Sequence, residues 1–161
     1  MPDNARKPID TEIQQEGRHW CWAACIQVAL KSRGIDESQS KLAKRVDRLR
    51  KAGCDGPLAD PEHCDVGLTD AEIADLFKDL KMNVTCTGPL TETSLNTELE
   101  RGPVAISFTW GHMCLIYGPG PDKGKYLMYD PLGPAAGALA LADIRNYGKG
   151  DNTWQTSWTG L

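Results

Sequence analysis

A cysteine heading an apolar run, a histidine heading a strand-like run and an aspartate ahead of a proline are the residues here that could do chemistry. Cys21 opens CWAACIQVALKSR, which is apolar on most sides and is followed by Gly34, a good residue for ending a helix. Unpaired N–H groups and the dipole at a helix start favour negative charge, and the thiolate is the nucleophilic form of a thiol. The position suits covalent catalysis. Taken alone, a buried cysteine that happens to begin a helix explains it equally well. Cys25, one turn deeper, reads as core.

A thiol nucleophile needs a base, and the chain has three histidines. His19 lies in an irregular stretch with nothing to fix its ring, and His63 in a Pro/Asp-rich loop. His112 begins HMCLIY directly after Gly111, where a strand end can hold a ring in place. If His112–Tyr117 pairs antiparallel with Lys125–Asp130 about a turn centred on Pro121, His112 faces Asp130 within reach of an orienting hydrogen bond. A bulge would shift that register by one. Asp130 also reads as a turn residue before Pro131, and Asp122 would lie at the wrong end of the hairpin. Acyl transfer further needs donors for an oxyanion. The Cys21 N–H is one, and the Gln15 amide six residues earlier is a second, with Gln14 as its competitor.

The elements that must position these groups fall into two textures. About 1–13 is a polar, irregular lead-in, and the absence of a period extends to residue 20. Helices are expected over Cys21–Arg33, from about Ser38 to Ala52, and from Thr69, where T-D-A-E has capping-box spacing ahead of Ile73, Leu76, Phe77 and Leu80. Gly53–Gly67 reads as a loop. Met82–Thr87 reads as a short strand and Thr93–Arg101 as a short helix. Strand-like runs follow at Pro103–Thr109, His112–Tyr117 and Lys125–Asp130, then one or two helical turns at Leu141–Tyr147. The tail Asn152–Thr159 alternates, with Trp154, Thr156 and Trp158 on one side, as a half-exposed strand does. The expected fold class is α+β in a single domain over 1–161, with a mainly helical half at 14–100 and a mainly β half at 101–161.

Composition narrows the function. The 161 residues carry 18 Lys+Arg against 22 Asp+Glu, a net charge of −4, with 40% hydrophobic and 25% charged residues. That is a globular composition, and its acidic balance argues against nucleic-acid binding. No apolar stretch reaches the ~20 residues of a membrane span, and no apolar core of a secretory signal is visible near the start. A cytoplasmic location in the producing cell, or export by a signal-independent machine, is expected. Lys41, Lys44, Arg45, Arg48, Arg50 and Lys51 read as a solvated helix face. Of the six cysteines none forms a C-x-x-C pair. Cys54, His63 and Cys64 lack zinc spacing and a fourth ligand, so no metal is expected, and the chemistry needs no cofactor.

Gln15, Cys21-Trp22 opening an apolar helix, a Gly-His strand and Tyr-Asp-Pro together resemble a papain-like cysteine peptidase. The likeness is to the compact bacterial branch of avirulence effector proteases and bacteriocin leader peptidases. It is carried by QQEGRHWCWAAC, RGPVAISFTWGHMCLIYG and YLMYDPLG. The resemblance implies Cys21 as nucleophile, His112 as base and then acid, Asp130 as its orienting partner and Gln15 in the oxyanion hole. It also implies a papain-like fold with its cleft between the halves, the Cys-bearing helix packing centrally on an antiparallel sheet. Trp22, Trp110 and Gly111 flank these residues and are candidates for substrate contact, although core packing explains tryptophans as well. Three departures stand out. Arg18 occupies the position of a plant-type disulfide cysteine, the third catalytic residue is aspartate rather than asparagine, and 91 residues separate Cys21 from His112 against about 130–150 in the cathepsins. A protein or peptide substrate and a monomer are expected, with a bacterial effector or toxin role and a host activator or cognate inhibitor left open. Deamidation, transglutamination and acyl transfer use the same groups. A non-catalytic binding module with structural cysteines is the reading from another class, and a degenerate relative is disfavoured because all four positions hold competent residues.

Overall fold

The structure, a computed structural model, describes residues 7–49, 67–133, 137–148 and 153–161. The first helix, α1 (Cys21–Ser32), buries every residue except Gln27 and Lys31, as a helix apolar on all sides must. Against it pack α2 (Gln39–Leu49), through Leu42, Ala43 and Val46, and α3 (Asp70–Asp79), through Ile73, Leu76 and Phe77. The expected capping box is present: the Thr69 hydroxyl accepts from the Glu72 N–H, and the Glu72 carboxylate accepts from the Thr69 N–H at 3.1 Å. The remaining elements are β1 (Thr85–Thr87), α4 (Glu92–Arg101), β2 (Val104–Phe108), β3 (His112–Pro119), β4 (Lys125–Tyr129), β5 (Gly137–Ala140), α5 (Leu141–Arg145) and β6 (Trp154–Thr159). The expected zinc-poor trio Cys54, His63 and Cys64 lies outside the described residues, as does the expected helix end beyond Leu49.

The strands form one antiparallel sheet in the order β1-β6-β2-β3-β4-β5. Its faces are unlike. Ala105, Met113, Leu115, Tyr129 and Trp158 meet α1–α3, whereas Val104, Ile106, Phe108, Cys114, Ile116 and Met128 meet α4 and α5. This is the expected α+β architecture. Two details differ from the sequence pattern. β6 is an interior strand paired on both sides, not a half-exposed one, with Trp154, Thr156, Ser157, Trp158 and Thr159 all buried. Thr156 pairs with Ser107 but Trp154 with Phe108, so Gln155 is an extra residue. That bulge sends Trp158 to the helical face, 5.7 Å from Phe77, and Trp154 to the opposite one. β5, with the sequence GALA, was not foreseen because it lacks β-branched and aromatic residues. Among the described residues no helix is long and apolar enough to cross a membrane.

Candidate active site

Cys21 is the first residue of α1, and the earliest bond within that helix runs from the Ala24 N–H to Trp20 O at 3.0 Å. The N–H groups of Cys21, Trp22 and Ala23 therefore precede the ladder. The approach to the helix is a tight turn in which the Trp20 N–H donates to Gly17 O at 3.1 Å. A Cβ on Gly17 would stand 2.7 Å from the Trp20 ring, so only glycine lets the indole fold back over the turn. Cys21 is 8% exposed and opens onto a cavity of about 340 Å³. One wall holds Trp22 and Ile73, the other Gly111, His112 and Met113.

His112 begins β3, directly after a turn closed by the Gly111 N–H on Phe108 O at 3.0 Å. Gly111 has φ +83, the left-handed conformation that glycine adopts without cost. His112 is 4% exposed, and its Nε2 lies 2.8 Å from Asp130 Oδ1. Cys21 lines the same cavity and acts on the ring from close by; with Nε2 given to Asp130, Nδ1 is the nitrogen left to face the thiol. The sequence arithmetic found the partner through the wrong register. Leu115 pairs with Tyr129 and Ile116 with Met128, and a bulge then moves Gly118 to Leu127. One residue past β4, Asp130 thus comes across from Cys114 and diagonal to His112, on the same face of the sheet. Asp130 Oδ1 also accepts the Leu132 N–H at 2.9 Å, and Oδ2 accepts the Tyr147 hydroxyl at 2.7 Å.

Trp110 does not line the cavity with Trp22 and Gly111. It stacks on the His112 ring with centroids 4.6 Å apart, and its Nε1–H donates to Tyr147 O at 3.2 Å. Sequence reasoning missed Tyr147 altogether, because no local pattern ties residue 147 to residue 130.

The polar lead-in is ordered by distant partners. Gln15 N–H donates to Pro131 O at 3.0 Å, and the Tyr129 hydroxyl donates to Ile13 O at 2.6 Å. From α2, fully buried Gln39 donates to Gln14 O at 2.8 Å and accepts from the Glu16 N–H at 2.9 Å. The backbone on both sides of Gln15 is therefore clamped. The Gln15 amide nitrogen donates to Gly17 O at 2.9 Å and Arg18 O at 2.6 Å, while its Oε1 is buried without a partner. Gln39 carried no signal, since a lone glutamine in a basic helix reads as surface.

The electrostatics follow from this packing. Burial works to lower His112, but hydrogen bonds to Asp130 and Cys21 and the charges of both outweigh it and lift the imidazole from 6.5 to about 9. Burial works to raise Asp130, yet His112, the Leu132 N–H and the Tyr147 hydroxyl hold it below the usual carboxylate range. Burial pushes the Cys25 and Cys114 thiols far up, which makes them poor nucleophiles. The Cys114 sulfur does lie within 4.8 Å of ligating atoms of His112 and Asp130, but those two are spent on each other.

A thiol at a helix start, beside an imidazole whose Nε2 meets a buried carboxylate, is an arrangement for covalent acyl transfer. Residues 3–145 match the family model described as papain-like cysteine protease AvrRpt2. The chain belongs to this family. Its fold is shared with solved peptidases of low identity. A double glycine motif protease from an AMS/PCAT transporter, solved in complex with the leader peptide, superposes with TM-score 0.61 at 12% identity, covering 99% of this chain and 96% of that one. A C39-like peptidase from Bacillus anthracis gives 0.62 at 14% identity, over 95% and 97%. The peptidase domain of Streptococcus ComA, a bi-functional ABC transporter of a quorum-sensing pathway, gives 0.60 at 13%, over 92% and 97%. No individually curated protein matches the sequence. The protein is thus a papain-like cysteine peptidase with a six-stranded sheet behind its cleft.

Proposed function

We propose that this peptidase hydrolyses peptide bonds of a protein substrate through a thioester on Cys21. The observation that carries the reading is the buried His112–Asp130 pair beside Cys21, with Cys21 and His112 lining one open cavity. His112 takes the thiol proton at Nδ1, and the Cys21 sulfur adds to the substrate carbonyl. The resulting oxyanion is met by the Cys21 N–H and by the Gln15 amide, which turns one N–H away from Gly17 O or Arg18 O to reach it. The C–N bond then breaks, and the imidazolium returns its proton to the leaving amine. Water, deprotonated by His112, adds to the thioester and releases the acid, restoring the thiol. Asp130 orients the ring and stabilises the imidazolium throughout. The neighbour solved in complex with a leader peptide supports a peptide substrate.

An N-acylglycine p-nitrophenyl ester tests the covalent step. A stoichiometric burst of p-nitrophenolate with an acyl adduct mapped to Cys21, absent in Cys21→Ala, is expected; a burst that survives Cys21→Ala overturns the assignment. Peptide libraries then separate the reactions, since hydrolysis splits the chain with addition of water whereas deamidation releases ammonia from an intact peptide. The family's naming after AvrRpt2 supports a further step, an effector or toxin role against a protein of a host or competitor cell. Expression of the active chain and of Cys21→Ala in candidate target cells tests that role, and identical responses to the two would refute it.

A further inference from the structure

We propose that Tyr147 is a positioning residue of this site, gripping the outer oxygen of Asp130 so that the carboxylate plane stays aligned with His112 Nε2. The inference rests on the Cys21–His112–Asp130 reading above. A carboxylate held through one oxygen can swing about its Cβ–Cγ bond. Here Oδ1 carries both the His112 ring at 2.8 Å and the Leu132 N–H at 2.9 Å, and among the described residues only the Tyr147 hydroxyl, at 2.7 Å, holds Oδ2. Removing that one donor frees the plane.

Tyr147 is itself fixed by the group it serves. Its carbonyl accepts the Trp110 Nε1–H, its ring lies 5.8 Å from Phe108, and the Trp110 indole stacks on His112. The contacts close a ring, from His112 to Asp130 to Tyr147 to Trp110 and back to His112. It draws on the β2–β3 turn, the first residue of β3, the end of β4 and the segment after α5. A closed ring holds an imidazole at both its edge and its face, which a lone aspartate cannot do. Burial and the Asp130 charge push the Tyr147 hydroxyl well up, so it remains a donor at any working pH. Tyr147 lies beyond the span matched by the family model, which ends at residue 145.

Tyr147→Phe is the discriminating variant, because it keeps the ring against Phe108 and the carbonyl under Trp110 while deleting the hydroxyl. Without that donor the carboxylate swings and its Oδ1 bond to Nε2, which lifts the imidazole, weakens. The His112 titration, followed by NMR of 15N-histidine-labelled protein, is expected to fall by ~0.3 pH unit or more. Among the described residues, the other titratable groups that feel the Asp130 charge are Cys25 of α1, Cys114 of β3 and Tyr129 of β4. Burial holds Cys25, Cys114 and Tyr129 neutral over the range of the test. Ester turnover should fall about 10-fold in kcat with KM changed less than about 2-fold, as expected for lost alignment. In an Asp130→Asn background the same change should leave the His112 titration where Asp130→Asn alone puts it.

An unmoved titration and unchanged kcat in Tyr147→Phe overturn the inference, as does an equal shift in the Asp130→Asn background. If instead Cys21→Ala or Asp130→Asn keeps full turnover, the underlying reading of the site has failed.

Discussion

Replacing Asp130 by asparagine removes a charge while keeping the shape, and its consequences can be worked from the site. His112 stands at about 9 rather than 6.5 although burial opposes its charged form. At 1.36 kcal/mol per pH unit, that is a net preference for imidazolium of roughly 3 kcal/mol. The Asp130 hydrogen bond is the first-ranked attraction overcoming burial, followed by that of Cys21. Without the carboxylate the titration is expected to fall by about 2 pH units, within the range an adjacent opposite charge commands. At pH 8 the imidazolium population would drop from about nine-tenths to about one-tenth. The imidazolium that would stabilise a thiolate declines with it, so the rate of Cys21 alkylation by limiting iodoacetamide at pH 8 should fall about 10-fold.

Stability carries the same signature. A folded-state value above the unfolded one means that stabilisation is complete below about 6.5 and is lost as pH rises through about 9. The gap in unfolding free energy between wild type and Asp130→Asn should therefore be widest near pH 6, about 2–3 kcal/mol, and narrow towards pH 9.5. Denaturant unfolding across that range measures the gap, and 15N NMR of the three histidines reads the titration directly. A His112 that still titrates near 9 in Asp130→Asn, or a gap that does not change with pH, would refute the reasoning.

Three further outcomes follow from the same geometry. Gln15→Ala should slow acylation by the activated ester about 100-fold, the usual cost of one oxyanion donor, without moving the His112 titration. Gln39→Ala leaves Gln14 O and the Glu16 N–H unpaired beneath α2, and should cost about 1–3 kcal/mol in denaturant unfolding. Because it releases the clamp on Gln15, it should also slow acylation, a loss that full stability at low temperature would not restore. Thr69→Ala deletes the cap of α3 and should cost about 1 kcal/mol; since Ile73 lines the cavity, peptide KM should rise more than kcat falls.

The site was legible in sequence where its parts are local and obscured where they are not. Cys21 at a helix start, the Thr69–Glu72 cap and a histidine opening a strand after a left-handed glycine each depend on neighbours within about four residues. The His112–Asp130 pair was found through an idealised hairpin, yet the real strands carry a bulge near Gly118 and meet two residues out of that register. The partner survived because a shift of two returns a side chain to the same face. β6 fared worse. Its alternation put Trp154 and Trp158 together, and the single extra residue Gln155 parted them across the sheet.

The sequence by itself determined the helices and the strand-rich second half, and it singled out Cys21, His112 and Asp130 as the candidate residues. Helical hydrogen bonds and caps close within one turn, so their code is written in adjacent residues. The tertiary structure alone decided which oxygen of Asp130 meets His112, that Tyr147 holds the other, and that Gln39 and Pro131 order the strand of chain bearing Gln15. Those contacts join segments 17 to 116 residues apart, from Tyr147–Asp130 to Gln15–Pro131. Only packing two faces of one sheet at once brings them within hydrogen-bond distance.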